Sequence, residues 1–283
     1  MPKFSSWVKR VKNTFRSKPS RPRSTSWSVR TDTSTSTSSS KEEQFLHRIY
    51  SKWDSAVVVV VGASAGIGSA ICISLVKRGF TVVGCSKTSE LLNALSEECT
   101  ERNFKGKLYA YKNELLHEND VKDLFAWVHK KFGRIDVLIN NPDLVNDHVL
   151  KRLPPETLSS VVQRRILTLI LSTKEAAKYM MRSKDGKGHI FNICSTVDII
   201  ATEYARIMSS SSPSTRRASR GLRLDSIEKS KIVVTAISPG KSEADLFRRI
   251  YGQKYVDLSP LSIDNYFTPQ EVANTLVYSL ANS

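Results

Sequence analysis

A run of five valines followed by closely spaced glycines, VVVVVGASAGIG at residues 57–68, constrains the fold more than any other stretch. An uninterrupted run of β-branched apolar residues predicts a strand that is buried on both faces of a parallel sheet. The residues that follow, Ser69–Val76, have the composition of a buried helix. A strand, a glycine turn and a helix in this order can bind a phosphate, because glycines let the backbone approach it and the helix N-terminus offers free N–H groups. The alternative is a tight turn without a ligand.

Strand and helix patterns alternate along the rest of the chain. Further strands are predicted at residues 80–85, 107–111, 134–141, 189–195 and 231–237. Helices are predicted at residues 45–53, 89–103, 120–132, 158–181 and 268–280. This alternation predicts an α/β fold, a Rossmann-type doubly wound parallel sheet of six strands with helices on both faces and right-handed crossovers.

The end of the second strand indicates which dinucleotide the site would prefer. An acidic residue there would hydrogen-bond a ribose 2′-hydroxyl, as NAD requires, but this chain has Ser86 and Lys87. A lysine at this position favours a 2′-phosphate and therefore NADP(H). The alternative is a solvated lysine at a strand end. The predicted cofactor-binding residues of this half are Gly62, Ser64, Ala65, Gly66, Ile67, Gly68 and Lys87.

Positive charge is concentrated in residues 1–40, which hold nine Lys or Arg and one acid, whereas the whole chain has a formal net charge of +16. Residues 3–16 place apolar and aromatic side chains on one helical face and basic side chains on much of the remainder. Residues 31–40 are almost entirely Ser and Thr and read as a flexible linker. We therefore predict a basic tail over residues 1–40 and one folded domain over residues 41–283.

Three interpretations of the tail remain open. Residues 1–18 could lie on an anionic membrane surface, act as a mitochondrial transit segment, or be a plain disordered tail. No specific nucleic-acid binding is expected, since no stacking platform accompanies the charge. The four cysteines show no metal-like or disulfide-like spacing, so we expect small core residues in a reducing compartment and no metal site. The expected location is intracellular, in the cytoplasm or mitochondria, with membrane association left open and secretion excluded.

Several motifs together resemble the short-chain dehydrogenase/reductase family. VGASAGIG is similar to its T-G-x-x-x-G-I-G motif, DVLINN at residues 136–141 to its D-V-L-V-N-N-A-G, and ISPG at residues 237–240 to its I-x-P-G. The resemblance implies a Rossmann-type domain, an NAD or NADP cofactor, and hydride transfer at an alcohol or carbonyl carbon. It also implies that Asn140, Pro239 and Gly240 lie at the cofactor, although Asn140 could instead tie neighbouring strands. Family members usually continue into a seventh strand, which we do not predict here.

The catalytic tyrosine and lysine of the family are missing from the expected positions. Ser195 matches the family serine, but the tyrosine and lysine positions correspond to Met208 and Ser212, and no Tyr-x-x-x-Lys occurs in the chain. Methionine has no titratable proton and serine has no charge, so general acid–base assistance of about 10²–10⁴-fold is lost. Tyr204 or His189 would have to substitute. Pro142 and Asp143 also replace the family Ala-Gly, and the family asparagine falls at Arg165.

These departures favour a degenerate family member that binds NADP(H), is catalytically impaired or inactive, and has a binding or regulatory role. One alternative is an active NADP-dependent oxidoreductase for alcohols or carbonyls, with a steroid-like or lipid-like substrate and an atypical proton donor. Another is a membrane-surface or scaffold protein that acts through its tail. A homodimer is expected to be weakened by the basic helix at residues 212–228, whose charges would repel those of a second copy.

Overall fold

The computed structural model describes residues 49, 51–141, 166–194, 217–218, 221, 231–239 and 267–283. Within this part of the chain, the strands are β1 (Val57–Val61), β2 (Thr81–Ser86), β3 (Lys107–Lys112), β4 (Val137–Asn140), β5 (Lys187–Ile193) and β6 (Lys231–Ile237). The helices are α1 (Gly66–Lys77), α2 (Ser89–Glu101), α3 (Glu118–Phe132), α4 (Thr168–Arg182) and α5 (Pro269–Ala281).

The six strands form one parallel sheet in the order β3-β2-β1-β4-β5-β6. β1 lies inside the sheet, and its central Val59 pairs with Val83 on one side and with Leu138 on the other. All carboxyl ends therefore meet at one edge, with the order of strands reversing between β1 and β4. The predicted doubly wound sheet of six parallel strands is confirmed for the described residues.

Apolar side chains bury both faces of the sheet. On one face, Val59 and Leu138 pack with side chains of α3 and α4, including Phe125 and Met180. On the other face, α1 packs against α5. The side-chain N–H of Trp53 donates a hydrogen bond of 2.9 Å to the carbonyl of Leu280 and attaches the segment before β1 to α5. This two-sided burial explains why β1 consists only of valines.

Asp136 connects the amino ends of β1 and β4. Its buried carboxylate accepts a hydrogen bond of 2.8 Å from the Val57 N–H and two of 2.8 Å from the Arg134 guanidinium. These hydrogen bonds raise the pKa of Arg134. The backbone N–H of Asp136 also donates to the Val57 carbonyl at 3.0 Å. The start of β1 is thereby tied to the segment before its neighbour β4.

The predicted element boundaries differ from the structure by a few residues. The predicted helix over residues 268–280 is Pro269–Ala281, capped by Thr268, whose hydroxyl oxygen accepts the Glu271 N–H at 3.2 Å. The early part of the predicted helix over residues 158–181 lies outside the described residues, as does the tail. Of the basic helix predicted at residues 212–228, only residues 217–218 and 221 are described, and these are helical. The predicted burial of the cysteines is confirmed for all four, which are free thiols. Within the described segments, no helix has the length and apolar character that crossing a bilayer requires.

Candidate nucleotide-binding site

The glycine turn after β1 leads the chain directly into α1. Gly62 has a φ of +74° and Gly66 a φ of +55°, a left-handed conformation that glycine adopts without strain. The N–H groups of Gly62 and Ala63 both donate to the Cys85 carbonyl, at 3.0 and 3.2 Å. A Cβ built on Gly68 would lie 2.0 Å from the Gly62 carbonyl oxygen. The turn and the first turn of α1 are therefore in contact through backbone atoms alone.

The N-terminus of α1 has the features of an anion site. Its N-cap residue, Ala65, makes no side-chain cap, and no acidic residue stands in the first turn. Ser64 is half-buried, and Ala65 and Gly66 are exposed. A Cβ on Gly66 would meet nothing within 4 Å, so the space in front of the turn is open. Uncapped N–H groups, the helix dipole and an open approach together fit the pyrophosphate of a dinucleotide.

Asn141, which the sequence analysis did not single out, supports this turn. Its side-chain N–H donates to the Gly62 carbonyl at 2.8 Å, and its backbone N–H donates to the Val61 carbonyl at 3.1 Å. A Cβ on Gly62 would lie 1.9 Å from the Asn141 carbonyl oxygen. In the sequence, only the position of Asn141 after another asparagine at the end of a strand could have indicated this support of the turn.

Asn140, predicted to lie at the cofactor, is buried at the carboxyl end of β4. Its side-chain N–H₂ donates to Asn192 Oδ1 at 2.8 Å and to Thr173 Oγ1 at 3.2 Å. Asn192 is the register partner of Asn140 on β5, and Thr173 belongs to α4. This arrangement fits the alternative in which Asn140 ties neighbouring strands. The residue that contacts the glycine turn is instead the half-buried Asn141.

The ends of β2 and β3 form the side of the site farther from β4. Lys87 is exposed directly after β2, whereas Ser86 is buried. The Asn113 N–H donates to the Ser86 carbonyl at 3.0 Å, so the loop after β3 lies next to the end of β2. Cys85 Sγ donates to the Asn113 carbonyl at 3.6 Å, and burial raises the pKa of the Cys85 thiol to about 12. Lys87 is thus accessible to an anion beside the glycine turn.

Ser195 and Tyr204, which are catalytic candidates besides His189, lie outside the described part of the chain. The same holds for the residues that depart from the family pattern and for the predicted cofactor residue Gly240; the departures are Met208, Ser212, Pro142, Asp143 and Arg165. Pro239 is described, is buried, and stands two residues after β6 at the carboxyl edge. The structure therefore places the glycine turn, Asn140 and Pro239 along one edge of the sheet.

His189 lies too far from this edge to be the substitute proton donor. It is buried in the first half of β5, and about 13 Å separates it from the end of the strand at ~3.3 Å per residue. Its ring stacks on Phe191 with centroids 3.9 Å apart, and Nε2 is 2.8 Å from Thr235 Oγ1. His189 is a core histidine, and the expectation that it could replace the tyrosine is wrong for this reason.

Comparison with known proteins agrees with this geometry. The family model of the short chain dehydrogenases matches residues 56–254, more than half of the chain. Dehydrogenase/reductase SDR family member 11 of Bos taurus is 28% identical over 235 residues, covering 81% of this chain and 92% of that protein. Farnesol dehydrogenase of Aedes aegypti is 33% identical over 193 residues, covering 67% of this chain and 78% of that protein.

Solved structures share the fold. A metagenomic short-chain oxidoreductase in complex with NADP has a TM-score of 0.66 and 22% identity, covering 82% of this chain and 92% of that chain. An alcohol dehydrogenase from the archaeon Thermococcus sibiricus, complexed with 5-hydroxy-NADP, also has a TM-score of 0.66 at 20% identity, covering 80% of this chain and 90% of that chain. Because the family model covers residues 56–254 and the sheet has the same fold as these solved structures, this chain belongs to the short-chain dehydrogenase/reductase family.

Proposed function

We propose that this protein binds NADP(H) at the carboxyl edge of the sheet and that it is catalytically impaired, with a binding or regulatory role. The observation that carries the binding half is the backbone contact between Gly68 and Gly62, where a Cβ would come within 2.0 Å of a carbonyl oxygen. Beside this contact, Ala65 and Gly66 at the N-terminus of α1 are exposed. Two structural neighbours are described as bound to NADP and to 5-hydroxy-NADP, which supports the same cofactor here.

Each part of the cofactor has residues that would hold it. The pyrophosphate would accept hydrogen bonds from the N–H groups at the start of α1. Lys87 would pair with a 2′-phosphate, since it is exposed at the end of β2 where an acid would select NAD. The Pro239 segment would border the nicotinamide end. When bound, the cofactor would supply or accept a hydride.

The impaired chemistry follows from residues that the chain does not have. None of its nine tyrosines is followed four residues later by lysine. A phenol with an ordinary pKa of ~10 needs a nearby cation to transfer a proton at neutral pH, and Met208 and Ser212 supply neither group. Ser195 could still orient a carbonyl oxygen, but it would be vestigial as a catalyst. We expect nucleotide binding to survive where turnover does not.

An active oxidoreductase remains the second candidate, because the similar curated proteins are named as dehydrogenases and reductases. In that version Tyr204 acts as the proton donor. Turnover would then require the Tyr204 hydroxyl, and Tyr204→Phe would abolish it. Robust NADPH-dependent reduction of carbonyl compounds by the pure protein, lost in Ser195→Ala, would contradict the impaired enzyme and support this candidate.

The binding proposal is tested with NADPH and NADH titrated against the full chain, followed by cofactor fluorescence and by the melting temperature. We expect saturation with NADPH at lower concentration than with NADH. Lys87→Ala should weaken NADPH binding about tenfold or more, since a charge-assisted contact is lost, and leave NADH unaffected. Lys77→Ala is the control, because this exposed lysine in the last turn of α1 has the same charge at the opposite end of the helix. No binding up to millimolar NADPH would refute the proposal.

A separate role for the tail is also proposed. The apolar face and the basic remainder of residues 3–16 have the composition of a helix that lies on an anionic membrane. In this role the tail brings the folded domain to a lipid surface without spanning it.

A further inference from the structure

Leu115, in the loop after β3, has a backbone conformation that leucine rarely adopts. Its φ is +53°, in the left-handed region, although it is neither glycine nor asparagine. A conformation of this kind persists only where the surrounding structure fixes it, and it often occurs beside a binding site. The loop in question, residues 113–115, lies at the carboxyl edge beside Ser86 and Lys87.

Three separate contacts hold Leu115 in this conformation. Its side chain is 2% exposed and packs into the core beneath α3 and α4. Its N–H donates to Asn113 Oδ1 at 2.7 Å. Its carbonyl accepts a hydrogen bond of 2.8 Å from the Thr168 hydroxyl, across 53 residues of chain. Thr168 is 5% exposed, so this hydrogen bond is shielded from water. Its loss would leave the buried Leu115 carbonyl without the Thr168 donor.

Thr168 is the first residue of α4, and that helix also contacts the end of β4. Five residues farther on, Thr173 accepts the hydrogen bond from Asn140. α4 is therefore attached at the carboxyl edge both to the loop after β3 and to the last residue of β4. A movement at the start of α4 would displace the loop of residues 113–115, because the hydroxyl of Thr168 is hydrogen-bonded to the Leu115 carbonyl.

We propose that Asn113, Leu115 and Thr168 form a clamp that fixes the loop of residues 113–115 in the conformation that receives the adenine half of the cofactor. Thr168 is a positioning residue, because it acts through Leu115 rather than by touching the nucleotide. The inference rests on the proposed NADP(H) binding and adds to it a link between α4 and the nucleotide site. Releasing the clamp lowers the fraction of molecules whose loop is competent, and the apparent Kd rises in inverse proportion.

The test compares Thr168→Val with Thr168→Ser in the full chain. Valine keeps the shape and removes the hydroxyl, whereas serine keeps the donor. The probes are NADPH, adenosine 2′,5′-bisphosphate and reduced nicotinamide mononucleotide, with Kd and melting temperature measured for each variant. We expect Thr168→Val to weaken NADPH and adenosine 2′,5′-bisphosphate equally, by about 3–10-fold, a loss typical of one buried hydrogen bond. Thr168→Ser should restore wild-type Kd values, and the affinity for the mononucleotide should not change.

Ser96→Ala is the matched control for a merely structural effect. Ser96 Oγ likewise donates to a backbone carbonyl at 2.8 Å, but to that of Leu108 within β3 and away from the loop. It should lower the melting temperature without changing any Kd. If Thr168→Val fails to fold, Asn113→Ala replaces it, since it removes the acceptor of the Leu115 N–H at a half-buried position.

Each outcome has one meaning. A wild-type Kd for the adenine-containing probes in Thr168→Val or Asn113→Ala, with only the melting temperature lowered, would overturn the clamp and leave the proposed function standing. A wild-type protein that binds none of the probes would overturn the proposed function and the clamp together. Weaker binding of the mononucleotide by the same factor would also overturn the clamp, because the effect would not belong to the adenine half.

Discussion

Replacing Gly68 by alanine tests the glycine turn, because two effects of known size act in opposite directions. Gly68 lies in the first turn of α1, and alanine is favoured over glycine in a helix by about 1 kcal/mol. Against this, the new Cβ would lie 2.0 Å from the Gly62 carbonyl oxygen and 2.9 Å from Asn141 Nδ2, whereas ordinary contacts begin near 3.4 Å. The sign of the change in unfolding free energy decides which effect is larger.

The contacted carbonyl cannot move away at low cost. Gly62 is held by its N–H bond to the Cys85 carbonyl and by the Asn141 side chain. Overpacking of this kind costs roughly 1–3 kcal/mol, and an overlap with a fixed backbone atom is expected at the upper end of that range. The net loss is therefore about 1–2 kcal/mol, or a fall in melting temperature of roughly 2–8 °C for a domain of this size.

The measurement is urea unfolding of the wild type and of Gly68→Ala, followed by tryptophan fluorescence and circular dichroism. Asn93→Ala is the control, because Asn93 is exposed in the middle of α2 and alanine there should add about 0.5 kcal/mol. Gly68→Ala should be less stable than wild type while Asn93→Ala is more stable. An unfolding free energy for Gly68→Ala equal to or above that of wild type would refute the described contact and, with it, the steric reason for the glycine.

Three further predictions concern other parts of the chain. Asp136→Ala should lower the unfolding free energy by about 2–3 kcal/mol, because the buried Val57 N–H loses a charged acceptor. Replacing the exposed Asp123 by alanine should change that free energy by less than about 0.5 kcal/mol, as is usual at the surface. Equal losses in the two variants would contradict the role of Asp136 as a buried acceptor. Burial raises the pKa of Cys85 from 9.0 to about 12 and that of Cys99 from 9.0 to about 11. Because the unfolded chain ionises these thiols first, the unfolding free energy should be constant up to pH ~9 and fall as the pH rises further. Unfolding curves from pH 7 to 10.5 check this, and an unchanged pH profile in Cys85→Ser would count against it. Full-length protein should sediment with vesicles that contain phosphatidylserine and not with vesicles of phosphatidylcholine alone, whereas protein without residues 1–40 should sediment with neither. Equal sedimentation of the full-length and the shortened protein would exclude the tail as the anchor.

The parts of the fold that depend on local pattern could be read from the sequence. The valine run gave β1 within its observed bounds, and β6 was predicted over Lys231–Ile237 as observed. The predicted start of α3 at Asp120 was wrong because Asp120 stands inside the first turn, where its carboxylate accepts the His117 N–H at 2.9 Å. β4 begins at Val137 rather than at Arg134, because Arg134 and Asp136 pair with each other before the strand.

The candidate site was predictable only where its residues are consecutive. The glycines form one motif, so their spacing alone indicated a phosphate-binding turn. The hydrogen bond from Thr168 to Leu115 joins residues 53 positions apart, and no local preference predicts a leucine with positive φ. The support of Gly62 by Asn141 spans 79 residues and depends on β1 and β4 becoming neighbours. Such contacts follow from the tertiary arrangement, which a single sequence does not display.

The order of strands has a consequence for how the chain can fold while it is being synthesised. β1 emerges first, β2 and β3 then add in turn on one side, and β4, β5 and β6 add in turn on the other. Each of the six described strands therefore joins at an edge that already exists, and none of these six has to insert between two strands that are already paired. Domains fold as their N-terminal parts leave the ribosome, so the half with the glycine turn can assemble before the second half of the chain has been made.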